Sequence, residues 1–346
     1  MRANIKDVSE AAGVSIKTVS RVINNERYVR AATRKRVEEA MAALGFQPSQ
    51  AARALAGGRS FQIALVCNNP GPYYLHGLIG GLRERCATEG VRLIVHAYEM
   101  EADVLGADVL KFFRQMGFDG AVLTPPITES EAVLDELERA GTPYVRISPG
   151  MQPDRSASVA IDNEGAAKTM MRRLIDLGHR RIGFIVGHRG FSVSNQRLSG
   201  YLAALREAGI SLDPDLVQQG WFDFRSGQAA AERLLGLDEP PSAIFASSDD
   251  MAAGVLSVAH QRGLRVPGEL SIAGFDDTDL ASLVWPALTT MRQPIREMAE
   301  KAAELLFSGA SDQVLLPSTL VERASTASAP VLAPARRRLP AAGAAS

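Results

Sequence analysis

The sequence predicts an α/β chain, with a small helical head followed by a larger body of doubly wound parallel sheets in two lobes. Three observations predict it. The first 46 residues carry three helical patterns separated by turn signals. From residue 61 onward, short apolar runs alternate with amphipathic stretches, as in β-α units that close into parallel sheets. The charge is also divided. Residues 1–60 hold 11 Lys/Arg against 5 Asp/Glu, a net +6 hidden inside a chain total of −1.

In the head, Asn4 is placed to cap a first helix, with Asp7 in the reciprocal position. Ile5, Val8, Ala11 and Ala12 fall on one face of that helix. Gly13 supplies the turn, where a side chain would be awkward. Ser15 caps a second helix whose Val19, Val22 and Ile23 point inward, which leaves Ile16, Lys17, Ser20 and Arg21 outside. Residues 33–44 make a third helix with Val37, Ala40, Met41 and Leu44 inward, stopped by Gly45. This is the layout of a helix-turn-helix, whose outer face enters a DNA major groove. A solvated helical hairpin is the plainer alternative. A basic head on an acidic body suits phosphate-backbone binding by the head alone.

Pro48 blocks continuation of the third helix, Ser49 can cap a short new one through Leu55, and Gly57 and Gly58 end it. A helix of about seven residues is too short to stand alone in water, so it is expected to order on contact with a partner. Beyond it, strands are expected at 62–67, 91–96, 120–124, 144–147, 181–186, 243–247 and 270–274. Helices are expected at 77–90, 107–116, 129–140, 165–177, 195–208, 227–235, 249–262 and 295–307. A chain of 346 residues exceeds one core, and these strands fit two lobes joined near residues 160–163. Ligands in such sheets bind beyond the carboxyl ends of the strands, here between the lobes. Residues 329–346, rich in Ala, Pro and Arg, read as a disordered tail.

Several classes are set aside. A hydrophobic content of 46% with 22% charged residues is that of a soluble globular protein. No run of 18 apolar residues exists and the start has no apolar signal region, so the expectation is a cytoplasmic protein with no membrane partner. Cys67 and Cys86 fall in a predicted strand and helix and read as buried thiols. The five histidines lack metal-ligand spacing, so neither metal nor cofactor is expected. The pairs Asp249-Asp250 and Asp276-Asp277 sit at element ends where neighbouring side chains diverge, which argues against a glycosidase.

Asp7-Val8 through Gly13-Val14-Ser15, then Thr18-Val19-Ser20-Arg21-Val22-Ile23-Asn24, resemble the headpiece of the lactose/galactose repressor family. So does the stretch from Phe46 to Leu55. The likeness extends through Leu177-Gly178-His179-Arg180-Arg181-Ile182-Gly183 and Gly274-Phe275-Asp276-Asp277 to Leu288-Thr289-Thr290-Met291-Arg292-Gln293-Pro294, covering roughly residues 4–328. The resemblance implies a headpiece at 1–46, a hinge helix and linker at 47–60, and a two-lobed, periplasmic-binding-protein-like body at 61–328. Its first lobe takes about 61–161 and 292–312, its second about 162–291 and 313–328.

Function follows as an expectation: a homodimeric transcriptional regulator on a palindromic duplex operator, a repressor released when a sugar or glycoside enters the cleft. A regulator corepressed by a small molecule, a sugar-binding receptor without DNA activity and a catabolic enzyme are the alternatives. Ile16, Lys17 and Arg21 are the base-reading candidates, Arg21 through a fork onto guanine and Ile16 through a thymine methyl. Lys17 reaches a base or a phosphate. Ser15, Thr18, Asn24 and Arg53 are phosphate partners, with capping or surface roles as rivals. The family places a leucine at Leu55 as a wedge in the minor groove. In the cleft the resemblance points to Arg197, Asp276, Phe222, Tyr73, Tyr74, Asp162 and Ser248, with an inter-lobe salt bridge as the rival role for Arg197 and Asp276. Ser248 stands where many relatives have asparagine, and Ser148 where some have aspartate. Both shorten the polar reach.

Overall fold

The computed structural model describes residues 3–23, 28–46, 59–68, 71–98 and 105–330. The head is three helices, α1 (Ile5–Ala12), α2 (Ile16–Ile23) and α3 (Ala31–Ala43). They close on Val8, Ala12, Val19, Val22 and Val37, with Ile5, Ile23, Ala40 and Met41 packed around that centre. Two expectations are corrected: Ala11 and Leu44 are exposed. A core this small is filled by the valines before either is needed. Gly45, at φ +59°, ends α3 as expected, and its neighbour Phe46 donates to the Met41 carbonyl at 2.9 Å.

The body holds two six-stranded sheets. The first is ordered β11 (Gln313–Leu316), β5 (Ser158–Ile161), β4 (Tyr144–Ile147), β3 (Gly120–Leu123), β1 (Gln62–Asn68), β2 (Arg92–Tyr98). The second is ordered β12 (Thr319–Val321), β10 (Thr289–Arg292), β9 (Ser271–Asp276), β8 (Ala243–Ala246), β6 (Ile182–Val186), β7 (Val217–Gln219). Every pairing is parallel except β10 with β12. One buried apolar cluster runs through both, from Leu65 and Ile147 in the first sheet to Phe184 and Phe275 in the second.

The helices of the body are α4 (Pro72–Glu89), α5 (Leu105–Met116), α6 (Glu131–Arg139), α7 (Asn163–Asp176), α8 (Ser192–Glu207), α9 (Phe224–Leu234), α10 (Asp249–Gln261), α11 (Asp279–Leu283) and α12 (Ile295–Ser308). Three of the helix pairs use the same close approach, one of them α9 with α10 through Gly227 and Gly254. A Cβ on Gly81 of α4 would lie 2.3 Å from the Arg296 carbonyl of α12, and one on Gly200 of α8 would lie 2.3 Å from the Glu164 carbonyl of α7. Backbones this near leave room for hydrogen alone, so glycine sets the spacing of a helix pair in each lobe.

The strands assign the chain to the lobes. It passes from the first to the second after β5, returns between β10 and α12, and crosses a third time between β11 and β12. The expected return to the second lobe at 313 is corrected: β11 pairs with β5 in the first sheet, Val314 opposite Val159. The expected tail also starts too early, because the Ala329 amide donates to the Leu177 carbonyl at 2.8 Å. Residues 331–346 lie outside the described residues.

Candidate DNA-binding face and inter-lobe cleft

The head is aimed by its caps. Asn4 Oδ1 accepts from the Lys6 amide at 2.8 Å and the Asp7 amide at 3.4 Å, while Asp7 accepts from the Asn4 amide at 2.7 Å. Ser9 Oγ donates to the Val14 carbonyl at 2.6 Å and fixes the turn after Gly13. Ser15 Oγ accepts from the Thr18 amide at 3.2 Å and bonds the Thr18 hydroxyl at 2.9 Å. Ser15 and Thr18 therefore begin α2, in the capping role that rivalled a phosphate contact for each. With Val19 and Val22 buried, Lys17 and Arg21 are exposed on the opposite side, and Ile16 keeps 43% of its surface in solvent. Asn24, Arg53 and Leu55 lie outside the described residues.

Where the linker meets the body, one carboxylate receives it. Asp119 accepts from the Ser60 amide at 2.7 Å, the Ser60 hydroxyl at 3.0 Å and the Phe61 amide at 3.0 Å. Asp119 stands directly before β3, so the first lobe grips the chain that leads to the head. Sequence reasoning missed it, because nothing local marks an aspartate whose partners lie about sixty positions away.

A cavity of about 390 Å³ lies between the lobes, at the carboxyl ends of the strands. Arg197, on α8, is its buried centre. Its Nε donates to Asn163 Oδ1 at 2.9 Å and its Nη1 to the Ser247 carbonyl at 2.6 Å. The guanidinium lies 3.7 Å from the centre of the Phe275 ring and 3.7 Å from Asp276 Oδ1. Arg197 and Asp276 thus form an ion pair, but inside the second lobe rather than between lobes. Asp276 is held at φ +115° and also accepts from Gln293 Nε2. Burial raises its carboxyl, and the Arg197 guanidinium and the Gln293 hydrogen bond only partly offset the effect. Phe222, at φ +65°, turns its ring into the same cavity. Tyr74 enters from the first lobe, and Ser248 lines the wall while capping α10 through the Met251 amide at 3.3 Å.

Five of the seven expected cleft residues meet here: Tyr74, Arg197, Phe222, Ser248 and Asp276. Two are corrected. Tyr73 is turned away by the helical step from Tyr74 and faces a separate, more open depression with His76 and Arg292. Asp162 spends its carboxylate as the cap of α7, accepting from the Gly165 amide at 2.8 Å. Missed residues include Phe191, Trp221, Phe224 and Asp250. Asp249 turns inward instead, where it is fully buried and accepts from Thr290 Oγ1 at 2.6 Å, the Thr278 amide at 2.8 Å and the Thr278 hydroxyl at 3.2 Å.

A three-helix head, two parallel sheets and a polar cleft between them can be compared with known proteins. Residues 4–49 match the pattern of bacterial regulatory proteins of the lacI family, and residues 171–326 match a periplasmic-binding-protein-like domain. The HTH-type transcriptional regulator DegA of Bacillus subtilis is 34% identical over 336 residues, covering 94% of this chain and 98% of DegA. The chain belongs to the LacI family. The HTH-type transcriptional repressor CytR of Escherichia coli is 34% identical over 95% of this chain and 97% of CytR. Among solved structures, a Lac repressor dimer bound to operator and anti-inducer superposes with a TM-score of 0.81 at 26% identity, covering 94% of this chain and all of that one. A CelR–cellobiose complex superposes at 0.71 with 31% identity, again covering 94% and 100%. This LacI-family chain is therefore a DNA-binding transcriptional regulator, in a family of regulators rather than enzymes. Among the described residues no helix is long and apolar enough to cross a membrane.

Proposed function

We propose that the protein is a cytoplasmic, homodimeric repressor that binds a palindromic operator and is released when a carbohydrate ligand enters the cleft. One observation carries it: the exposed face of Ile16, Lys17 and Arg21 shares a chain with a cavity built around a buried guanidinium–carboxylate pair. In a major groove Arg21 forks onto a guanine, Ile16 meets a thymine methyl, and Lys17 takes a base or phosphate. Asn24 and Arg53 serve the phosphate backbone, Ser15 and Thr18 cap the helix that carries the reading face, and Leu55 supplies the minor-groove wedge that the family uses. In the cleft, Arg197 donates to ligand oxygens, Asp276 accepts from hydroxyls, Phe222 and Tyr74 flank the ring, and Ser248 adds a hydroxyl. The solved Lac repressor bound to its operator is a dimer, and the side chains of Leu283 and Trp285, 69% and 82% exposed, offer an apolar seat for a second copy of this chain.

Selection from a random duplex pool tests the reading. The full-length protein is expected to enrich one palindrome, with affinity that falls steeply as salt rises. Enrichment of no sequence over the starting pool would refute it.

A further inference from the structure

The cavity carries a charge imbalance that its own hydrogen bonds leave in place. Among the described residues lining it, Asp223, Asp250 and Asp276 are carboxylates and Arg197 is the guanidinium, three against one. Arg197 and Asp276 are paired, and Asp223 caps α9 by accepting from the Ser226 amide at 2.8 Å. Asp250 is different. Among the described residues no other group donates to it, and its carboxylate lies against the Gly71 backbone of the opposite lobe, where a Cβ would come within 2.6 Å of Oδ2. Around the same space stand the rings of Tyr74, Phe191, Trp221, Phe222 and Phe224.

These features ask for one kind of ligand. A half-buried carboxylate whose one donor is its own backbone amide is unfavourable until something supplies positive charge or further hydrogen bonds. Aromatic faces attract cations as well as sugar rings. The Phe275 face is already taken by Arg197, but Trp221 and Phe224 are not stacked on it. An anionic ligand would meet three carboxylates and find a single guanidinium already engaged.

Resting on the cleft being the ligand site, we propose that its ligand is an amino sugar, whose ammonium group pairs with the Asp250 carboxylate while its ring lies against the aromatic wall. Arg197 and Asp276 hold hydroxyls at the far end. Asp250 is then the residue that sets ligand class, selecting amines over neutral sugars and rejecting uronates.

The test is thermal shift of the full-length protein with matched probes: D-glucose, D-galactose and D-mannose, the 2-amino-2-deoxy form of each, and the uronate of each. At least one amino sugar is expected to raise Tm, with its neutral parent at least tenfold weaker and its uronate inert. Asp250→Asn is expected to erase that preference while the ligand-free protein melts no lower than wild type. If a neutral sugar or uronate binds as well as the amine, or if the preference survives in Asp250→Asn, the proposal fails. Such binding, abolished by Arg197→Ala, would still leave the cleft standing as the ligand site. No shift from any probe would overturn both the amine and the carbohydrate reading.

Discussion

Ser192 Oγ donates to Glu129 Oε1 at 2.6 Å, a hydrogen bond that joins the second lobe to the first. The same carboxylate oxygen accepts from the Gly150 amide at 2.8 Å. A Cβ on Gly150 would lie 1.9 Å from the Ser192 Cβ, so the two lobes touch here with no room to spare. Gly71 and Asp250 make the second such contact, beside the cavity. The lobes therefore approach closely at two places, and at the first a hydrogen bond joins them.

Gly150→Val is expected to wedge the lobes apart. Small-angle scattering should show a larger radius of gyration than wild type, and ligand-induced thermal stabilisation should shrink. An unchanged radius would mean that this contact does not govern closure.

The paired helices give a second expectation. Gly81→Ala and Gly200→Ala each drive a methyl group into a carbonyl of the neighbouring helix. Alanine favours helix by about 1 kcal/mol over glycine, but overpacking of this kind costs about 1–3 kcal/mol. Both variants should therefore unfold at lower urea concentration than wild type. A stabilised variant would show that the helices separate without cost.

Asp249 and Asp250 are adjacent, yet substitution should act in opposite directions. Asp249→Ala removes the acceptor of three hydrogen bonds and leaves Thr278 and Thr290 unsatisfied, at about 2–4 kcal/mol. Asp250 has its carboxyl raised to about 6, by burial first and the neighbouring Asp223 charge second. Asp276 at the end of β9 also faces it, as does the Gly71 backbone from the first lobe. A carboxyl raised in the folded state is most favourable when protonated, so its stability contribution is lost as pH rises through about 6. Asp250→Asn should thus raise the ligand-free Tm at pH 7.5 by a few degrees, the effect of about 1 kcal/mol in a domain of this size. The gain should be smaller at pH 5 and vanish only below about 3.8, the ordinary carboxyl value, because the loss spreads over the window between that value and about 6. Melting curves at the two pH values decide it.

On the head, Lys17→Ala is expected to weaken operator binding and Arg21→Ala to relax discrimination at one base pair by about 1–3 kcal/mol. If Lys17 meets phosphate, the salt slope should fall by about one. Leu55→Ala should leave the melting temperature alone and weaken the selected operator more than random duplex. Anisotropy titrations at several salt concentrations separate these effects.

The head was legible because its signals are local: a capping box from Asn4 to Asp7, a turn glycine at Gly13 and a cap at Ser15 all act within four residues. The central strands were legible as apolar runs, since β1, β4 and β6 are buried on both faces. β5, β7, β10, β11 and β12 were not. β7, β11 and β12 are short, half-exposed strands at sheet edges, too solvated to stand out as apolar runs, while β5 and β10 carry serine, threonine and arginine that break the run. The third crossing was misplaced for the same reason. In the cleft, Arg197 and Asp276 followed from resemblance. Asp250 and Trp221 did not, because their place depends on loops brought together from across the second lobe. Asp119 shows the same limit, having partners 58 and 59 positions away.

Coupling between the cleft and the head is the central claim, and one titration addresses it. The affinity of the full-length protein for its selected operator is measured by anisotropy at fixed salt, with and without a saturating amount of the ligand that raises its Tm. A fall of about 5- to 150-fold is predicted, the span typical of coupled sites, and Arg197→Ala should abolish it. Equal operator affinity in the two titrations would contradict the account.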